Sequence, residues 1–334
     1  MAEETRLSKW KPEEIEENRK KINRILKDGC GKDVLGAMLG MEFEEAPDLS
    51  GKPHIQVLIP TYKGYDPDME AAAREMFKYT RQFCTLDVPG GMPHGIIHWA
   101  RNQLVAPLYK EKKKFTHVLF MDDDMVPEKD AIVRLLRHEK DIVGALCSHR
   151  NDPPVPNMRR FEPATDEWFN VFQWEMDALC GESGIVGVGG GMILATKHAM
   201  DSIAEYYVSC EFEKQLWSPS IDKLEEMRAK RRKFFEDSGN AYWFEFLKAP
   251  NGQGEYGEDI SFSYKANHCG LKVYVDTSIQ PGHMGRYSYG VKDFMPFQEN
   301  MVRAAKMAGW DCVLHEGEDE IPDSDLQATE LYPQ

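Results

Sequence analysis

The sequence has no long apolar run, no paired cysteines and no excess of positive charge, and each lack removes a class of protein. No stretch approaches the roughly 18 consecutive apolar residues of a membrane-spanning helix. The opening segment, MAEETRLSKWKPEEIEENRKK, is charged where a secretory leader would need an apolar centre, so a cytoplasmic location is expected. The seven cysteines (Cys30, Cys84, Cys147, Cys180, Cys210, Cys269, Cys312) are scattered and never form C-x-x-C, which argues against a disulfide framework or a zinc cluster. A formal net charge of -15 argues against coating nucleic acid by electrostatics, though not against a local basic groove. There is no G-x-x-x-x-G-K-[ST] and no H-E-x-x-H, and GVGGGM fails as G-x-G-x-x-G because Met192 stands where the third glycine belongs. P-loop phosphoryl transfer, zinc proteolysis and nicotinamide binding lose their entry signals, whereas a metal-dependent nucleotidyltransferase stays open.

The chain of 334 residues is long enough for one elaborated α/β domain. Ile15, Ile22, Ile25 and Leu26 share a helical stripe, so residues 1–50 read as a helical extension before an acidic linker. Apolar runs at HIQVLIPT, THVLFMDDD, DIVGALCS, GIVGVGGGMILAT and KVYVD read as buried strands. Helical patterns fall over residues 67–82, 94–106, 128–138 and 197–207, and this alternation predicts an α/β fold whose sheet is mainly parallel and flanked by helices. Ligands of such sheets bind beyond the carboxyl ends of the strands. Residues 158–180 suggest a hairpin over the sheet edge, 221–237 a charged helix, and 238–257 a Gly- and aromatic-rich binding loop. The main domain is expected over 51–290, with an insertion near 209–250, followed by a C-terminal helix and acidic tail over 291–334.

Three features carry chemistry. Asp122, Asp123 and Asp124 follow a strand pattern, and adjacent carboxylates repel unless a cation neutralises them. In an extended chain Asp122 and Asp124 would point the same way, suiting a Mg²⁺ or Mn²⁺ ion that also takes phosphate oxygens. A solvated acidic turn capping the next helix explains the triplet equally well. Glu258 and Asp259 open a helical pattern, where acids ordinarily serve the helix dipole, yet the loop before them brings a general base within reach of a ligand. His283 lies between turn-forming residues past a strand, a position from which neutral imidazole can ligate a metal.

With IQVLIPTYKG, Ala100-Arg101-Asn102, FMDDDMVP, GVGGGMILATK, the YWFEF loop and GEDISFSYKANHCGLKVYVD before His283, the chain resembles the GT-A glycosyltransferases over about residues 54–290, especially the family 2-like group with bacterial and viral members. The resemblance implies a GT-A fold that transfers a sugar from a nucleotide-diphosphate donor, UDP-sugar first, to a hydroxyl acceptor. Pro60, Thr61 and Tyr62 would lie near the base or ribose, and Arg101 near the nucleotide or pyrophosphate. Asp122 would approach ribose or metal, with Asp123 beside the nucleotide. Asp124 and His283 would ligate Mn²⁺ or Mg²⁺, and Gly189, Gly190 and Gly191 would let backbone approach the sugar. Asp259 would be the base of an inverting reaction, with Glu258 the other acid of the pair. The acceptor could be a glycan, a small molecule or base-modified viral DNA. Arg228, Lys230, Arg231, Arg232 and Lys233, with the run from Lys110 to Lys114, are the basic clusters a DNA acceptor would use. A catalytically silent nucleotide-sugar or carbohydrate-binding module is the remaining alternative.

Overall fold

The computed structural model describes residues 52–61, 64–89, 96–162, 164–165, 167–182, 186–217, 219–249, 254–285, 288–310 and 312–313. The helical extension, Tyr62 and the acidic tail lie outside these residues. In chain order the first half contains β1 (His54–Leu58), α1 (Pro67–Thr80), β2 (Thr85–Asp87), α2 (Ile97–Lys110), β3 (His117–Met121), β4 (Met125–Val126), α3 (Ala131–Arg137) and β5 (Ile142–Ala145). Then come β6 (Met158–Glu162), β7 (Glu167–Asn170), β8 (Leu179–Cys180), β9 (Val186–Val188), β10 (Met192–Thr196), α4 (Lys197–Val208), α5 (Glu211–Trp217) and α6 (Ile221–Ser238). The described chain ends with β11 (Leu247–Lys248), β12 (Glu255–Tyr256), α7 (Glu258–His268), β13 (Val273–Asp276), β14 (Gly282–Met284), β15 (Ser288–Tyr289) and α8 (Val291–Met307).

A seven-stranded sheet in the order β2-β1-β3-β10-β5-β13-β8 forms the centre. Strands β1, β2, β3, β5 and β13 run one way, and β10 and β8 run against them. The mixed, mainly parallel sheet flanked by helices is the predicted class. Its strands read as continuous apolar runs because both faces are covered. On β3, Val118 and Phe120 enter one apolar cluster with α2, α4, α7 and α8, while Leu119 and Met121 enter another with α1 and α3. Each such side chain contributes roughly 1.5–3 kcal/mol on burial, so the strands and the helices that cover them share the stabilisation.

Two expectations, on the run from 184 to 196 and on residues 122–124, are corrected. The run from 184 to 196 is not one strand: β9 pairs with β6 in the small sheet β7-β6-β9, and β10 belongs to the central sheet. The chain breaks at Gly189-Gly190-Gly191, where other side chains press against the backbone. Residues 122–124 are not extended either, because Met125 N donates to the Asp122 carbonyl at 3.3 Å and closes a turn. The insertion near 209–250 supplies core, since Trp243 and Phe244 are fully buried among the central strands' side chains. Asn102 on α2 holds the Phe244 backbone at both ends, donating to its carbonyl at 2.6 Å and accepting its N–H at 3.1 Å. Likewise Phe294 of α8 is buried in that cluster, so residue 290 marks no break in the core.

At the end of β13, Asp276 anchors the turn leading to His283. Its carboxylate meets His138 Nε2 at 2.7 Å and accepts the Ser278 N–H at 2.9 Å and the Ser278 hydroxyl. Burial opposes the charge, but these hydrogen bonds hold the Asp276 carboxyl below the usual carboxylate range. The unfolded chain therefore takes up this proton first, so the stabilisation is complete above the ordinary value near 3.9 and is lost as pH falls through the folded value. Asp276→Asn is expected to lower stability at neutral pH, with the deficit closing as acid is added. Urea unfolding of both proteins across a pH series checks this, and a deficit that stays constant into acid would exclude it.

Candidate functional site

The carboxyl edge of the parallel strands opens into a cavity of about 340 Å³. Pro60 follows β1, Asp122 to Asp124 follow β3, and Cys147 to Arg150 follow β5, as chain leaving a parallel strand must. Because β10 runs in reverse, the glycines that precede it reach the same edge. The first turn of α7 adds Glu258 and Asp259, α2 adds Arg101, and β14 adds His283. Of the candidate residues, Pro60, Arg101, Asp122, Asp123, Asp124, Gly190, Gly191, Glu258, Asp259 and His283 line the cavity. Thr61 is not among the lining residues; its hydroxyl accepts the Gly64 N–H at 3.0 Å.

Arg101 is the best-held side chain of the wall. It is 1 % exposed, with Nη1 donating to Glu258 at 2.8 Å and Nη2 donating to Asp122 at 2.6 Å and to the Gly190 carbonyl at 3.1 Å. Its guanidinium carbon lies 5.4 Å from the Phe244 ring centre. Burial works against the charge, but Asp122, Glu258 and Asp259 keep the Arg101 pKa above its ordinary value. The guanidinium expected near the pyrophosphate is thus committed within the protein. A Cβ on Gly190 would lie 2.2 Å from Nη2, and one on Gly189 would lie 1.8 Å from the Asn157 amide. These glycines make room for side chains of this protein.

Asp124 and His283 meet across the turn after β3. β14 pairs with β4, and Met284 N donates to the Asp124 carbonyl at 2.8 Å, which sets His283 beside the carboxylate. His283 Nδ1 lies 2.6 Å from the Ser148 carbonyl, which can only accept, so Nδ1 carries a proton. In the neutral ring, Nε2 then turns its lone pair toward Asp124 Oδ1 at 3.3 Å. That oxygen is buried without a hydrogen-bond partner. Two acceptors face each other, and a second ring proton or a divalent cation satisfies both. Burial opposes the charge of Asp124, but an imidazolium at His283, which would donate to it, together with Arg150 draws its carboxyl below the usual range. A carbonyl that fixes the imidazole tautomer is a common support for metal-ligating histidine.

Among the described residues no group of three or more His, Cys, Asp or Glu side chains could hold a metal by itself. Asp122, expected as a ligand, has Oδ1 tied to Arg101. Asp124 and His283 face each other as side chains that could hold a cation completing its shell with phosphate oxygens or water. Asp259 accepts the Gly190 N–H at 3.2 Å and the Ile260 N–H at 2.7 Å, bonds that hold its carboxylate toward the cavity wall. Glu258 is held by Arg101.

No family model matches the chain, and no curated protein matches it. Among solved structures, the crystal structure of A197 from STIV aligns at 12% identity over 70% of this chain and 86% of that one, with a TM-score of 0.34. At that score the likeness carries no argument about fold or activity.

Sequence reasoning missed Ser148, His149, Arg150 and Asn157 on the wall. The signal for the first three was their place just after the DIVGALC strand, since the edge where strands end was already expected to bind the ligand; Asn157, ten residues on, had no such signal. Cations of the basic clusters have acidic neighbours. Arg228 pairs with Glu211, Lys230 with Glu226, Arg231 with Glu213 and Arg232 with Glu205, and Lys113 pairs with Glu111. No helix among the described residues is long and apolar enough to cross a membrane.

Arg101→Met removes the cation between two largely buried carboxylates and should cost about 3–5 kcal/mol, the range for breaking a buried ion pair from one side. Urea denaturation measures it. A loss below about 1 kcal/mol would mean that the pairs are replaceable by solvent.

Proposed function

We propose that this chain is a GT-A glycosyltransferase that moves a sugar from a nucleotide-diphosphate donor, UDP-sugar first, to a hydroxyl acceptor. One observation carries the reading: a carboxylate–imidazole pair suited to a divalent cation shares a single cavity with a second, separate carboxylate. Binding a diphosphate needs the first, and deprotonating an acceptor needs the second. The mixed, mainly parallel sheet agrees with this fold. The paired cations of α6 give a DNA acceptor no particular support.

In this reading Asp124 and His283 hold Mn²⁺ or Mg²⁺, which when bound offsets the charge of the departing diphosphate. Asp259 removes the acceptor's hydroxyl proton while the oxygen forms its bond to the anomeric carbon. The bond from that carbon to the phosphate oxygen breaks, its electron pair leaves with the diphosphate, and the configuration inverts. The N–H groups of Gly190 and Ile260 orient the Asp259 carboxylate. Arg101 does not touch the donor. It ties Asp122, Glu258 and the Gly190 carbonyl together, so that the base and the metal ligands keep their spacing. Glu258 is a positioning residue here.

Donor identity follows from a thermal-shift panel of nucleotide-sugars with and without Mn²⁺, since a ligand of the folded state raises its apparent stability. With the donor in hand, Asp259→Asn should lower transfer by roughly 10²- to 10⁴-fold and leave donor affinity near the parent's. Glu258→Gln should instead lose stability together with activity, through Arg101. Parental turnover by Asp259→Asn would remove it as the base, and an absence of any Mn²⁺-dependent nucleotide-sugar binding would remove the transferase reading.

A further inference from the structure

A second arginine, Arg150, stands on the cavity wall in a setting opposite to that of Arg101. Its Nη1 lies 2.8 Å from Asp124 Oδ2 and donates to the Met284 carbonyl at 3.3 Å. The other oxygen of the same carboxylate faces His283. The Arg150 side chain is 49 % exposed, whereas that of Asp124 is 20 % exposed. We propose that Arg150 is an internal counter-ion for Asp124, which it yields to a divalent cation in order to pair with the phosphates of the bound nucleotide. This rests on the nucleotide-sugar reading of the cavity.

The physical case is a comparison of two cations. Arg101 is enclosed, with two carboxylates and a carbonyl in fixed positions, and moving it would strand buried charges. Arg150 has one carboxylate and one long carbonyl contact at an open rim, and ion pairs so exposed are weak. A doubly charged ion held by both Asp124 and His283 outbids it. The same ion then repels the guanidinium, which sits on its ligand. Diphosphate supplies the new partner, since a planar guanidinium fork matches phosphate oxygens in a bidentate contact.

The backbone leading into Arg150 is hydrogen-bonded as far as His149, so the change needs only its side chain. Leu146 N donates to the Ile279 carbonyl at 2.9 Å, His149 N donates to the Val155 carbonyl at 2.8 Å, and the Ser148 carbonyl holds His283. The side chain can therefore reorient about its own torsions without disturbing the His283 support. In the sequence of events, Arg150 preserves a carboxylate that would otherwise face like charge from Asp122, and it follows the negative charge when the metal arrives with the donor.

The test measures binding with the full chain and needs no acceptor. Free Mn²⁺ is followed by its electron paramagnetic resonance signal with parent, Arg150→Ala, Arg150→Gln and Asp124→Asn. The nucleoside diphosphate best bound by the parent among ADP, CDP, GDP and UDP is then titrated calorimetrically at saturating Mn²⁺. Both Arg150 variants should bind Mn²⁺ alone at least about twofold tighter than the parent, because the competing cation is gone. They should bind the diphosphate roughly tenfold or more weakly, having lost a charge-assisted contact. Unchanged or weaker Mn²⁺ affinity in both variants overturns the counter-ion role, and unchanged diphosphate affinity overturns the transfer to phosphate. If parent and Asp124→Asn take up Mn²⁺ equally, the metal assignment itself falls. That result is distinct from a parent that needs Asp124 for Mn²⁺ but is indifferent to Arg150.

Discussion

The buried guanidinium of Arg101 is the interaction on which the rest of the site depends. A charge that is 1 % exposed needs acceptors, and both terminal nitrogens find them, although Nε is buried without a partner; the acceptors come from three segments: the turn after β3, the glycines before β10 and the first turn of α7. Desolvation makes each bond expensive to lose, so the three segments are held in one arrangement. Gly190 is required because any larger residue would collide with the guanidinium. Phe244, whose ring lies beside it, is held through its backbone by Asn102, the next residue of the same helix. Two adjacent residues of α2 thereby fix an acidic cavity on one side and an aromatic loop on the other.

Sheet topology explains why acids accumulate at that edge without unfolding it. Parallel strands deliver their following loops to one side, and the reversed β10 delivers its preceding glycines to the same side. Asp122, Asp124, Glu258 and Asp259 consequently converge with few cations of their own. Arg101 neutralises the deep pair, while Arg150 and His283 address the shallow Asp124. The division between a locked cation and an exposed one gives the cavity a rigid floor and an exchangeable rim. Glu258 and Asp259, adjacent in sequence, serve different ends: one is paired with Arg101, and the other accepts backbone N–H groups at the wall.

Much of this was legible in the sequence wherever local pattern decides structure. Val118 to Met121 formed a strand apolar on both sides, the acidic triplet stood at its end, and Glu258-Asp259 opened a helix, because burial, strand length and helix termini act over a few residues. The split at Gly189-Gly190-Gly191 was not legible. An apolar run with glycines inside it looks continuous until Arg101, Asn157 and Cys147 are placed against its backbone. The turn at Asp122 was hidden for the same reason, since extended alternation is only the default for a strand end.

The sequence by itself determined the alternating α/β plan, the doubly covered strands and the types of residue that gather at their carboxyl ends. Only the tertiary structure decided which charges meet. Arg101 finds Asp122 21 residues away, Gly190 89 away and Glu258 157 away, while His283 takes its tautomer from a carbonyl 135 residues earlier. A carboxylate's role as ion-pair partner, metal ligand or base depends on which donor lies within about 3 Å, and no spacing along the chain encodes such a distance.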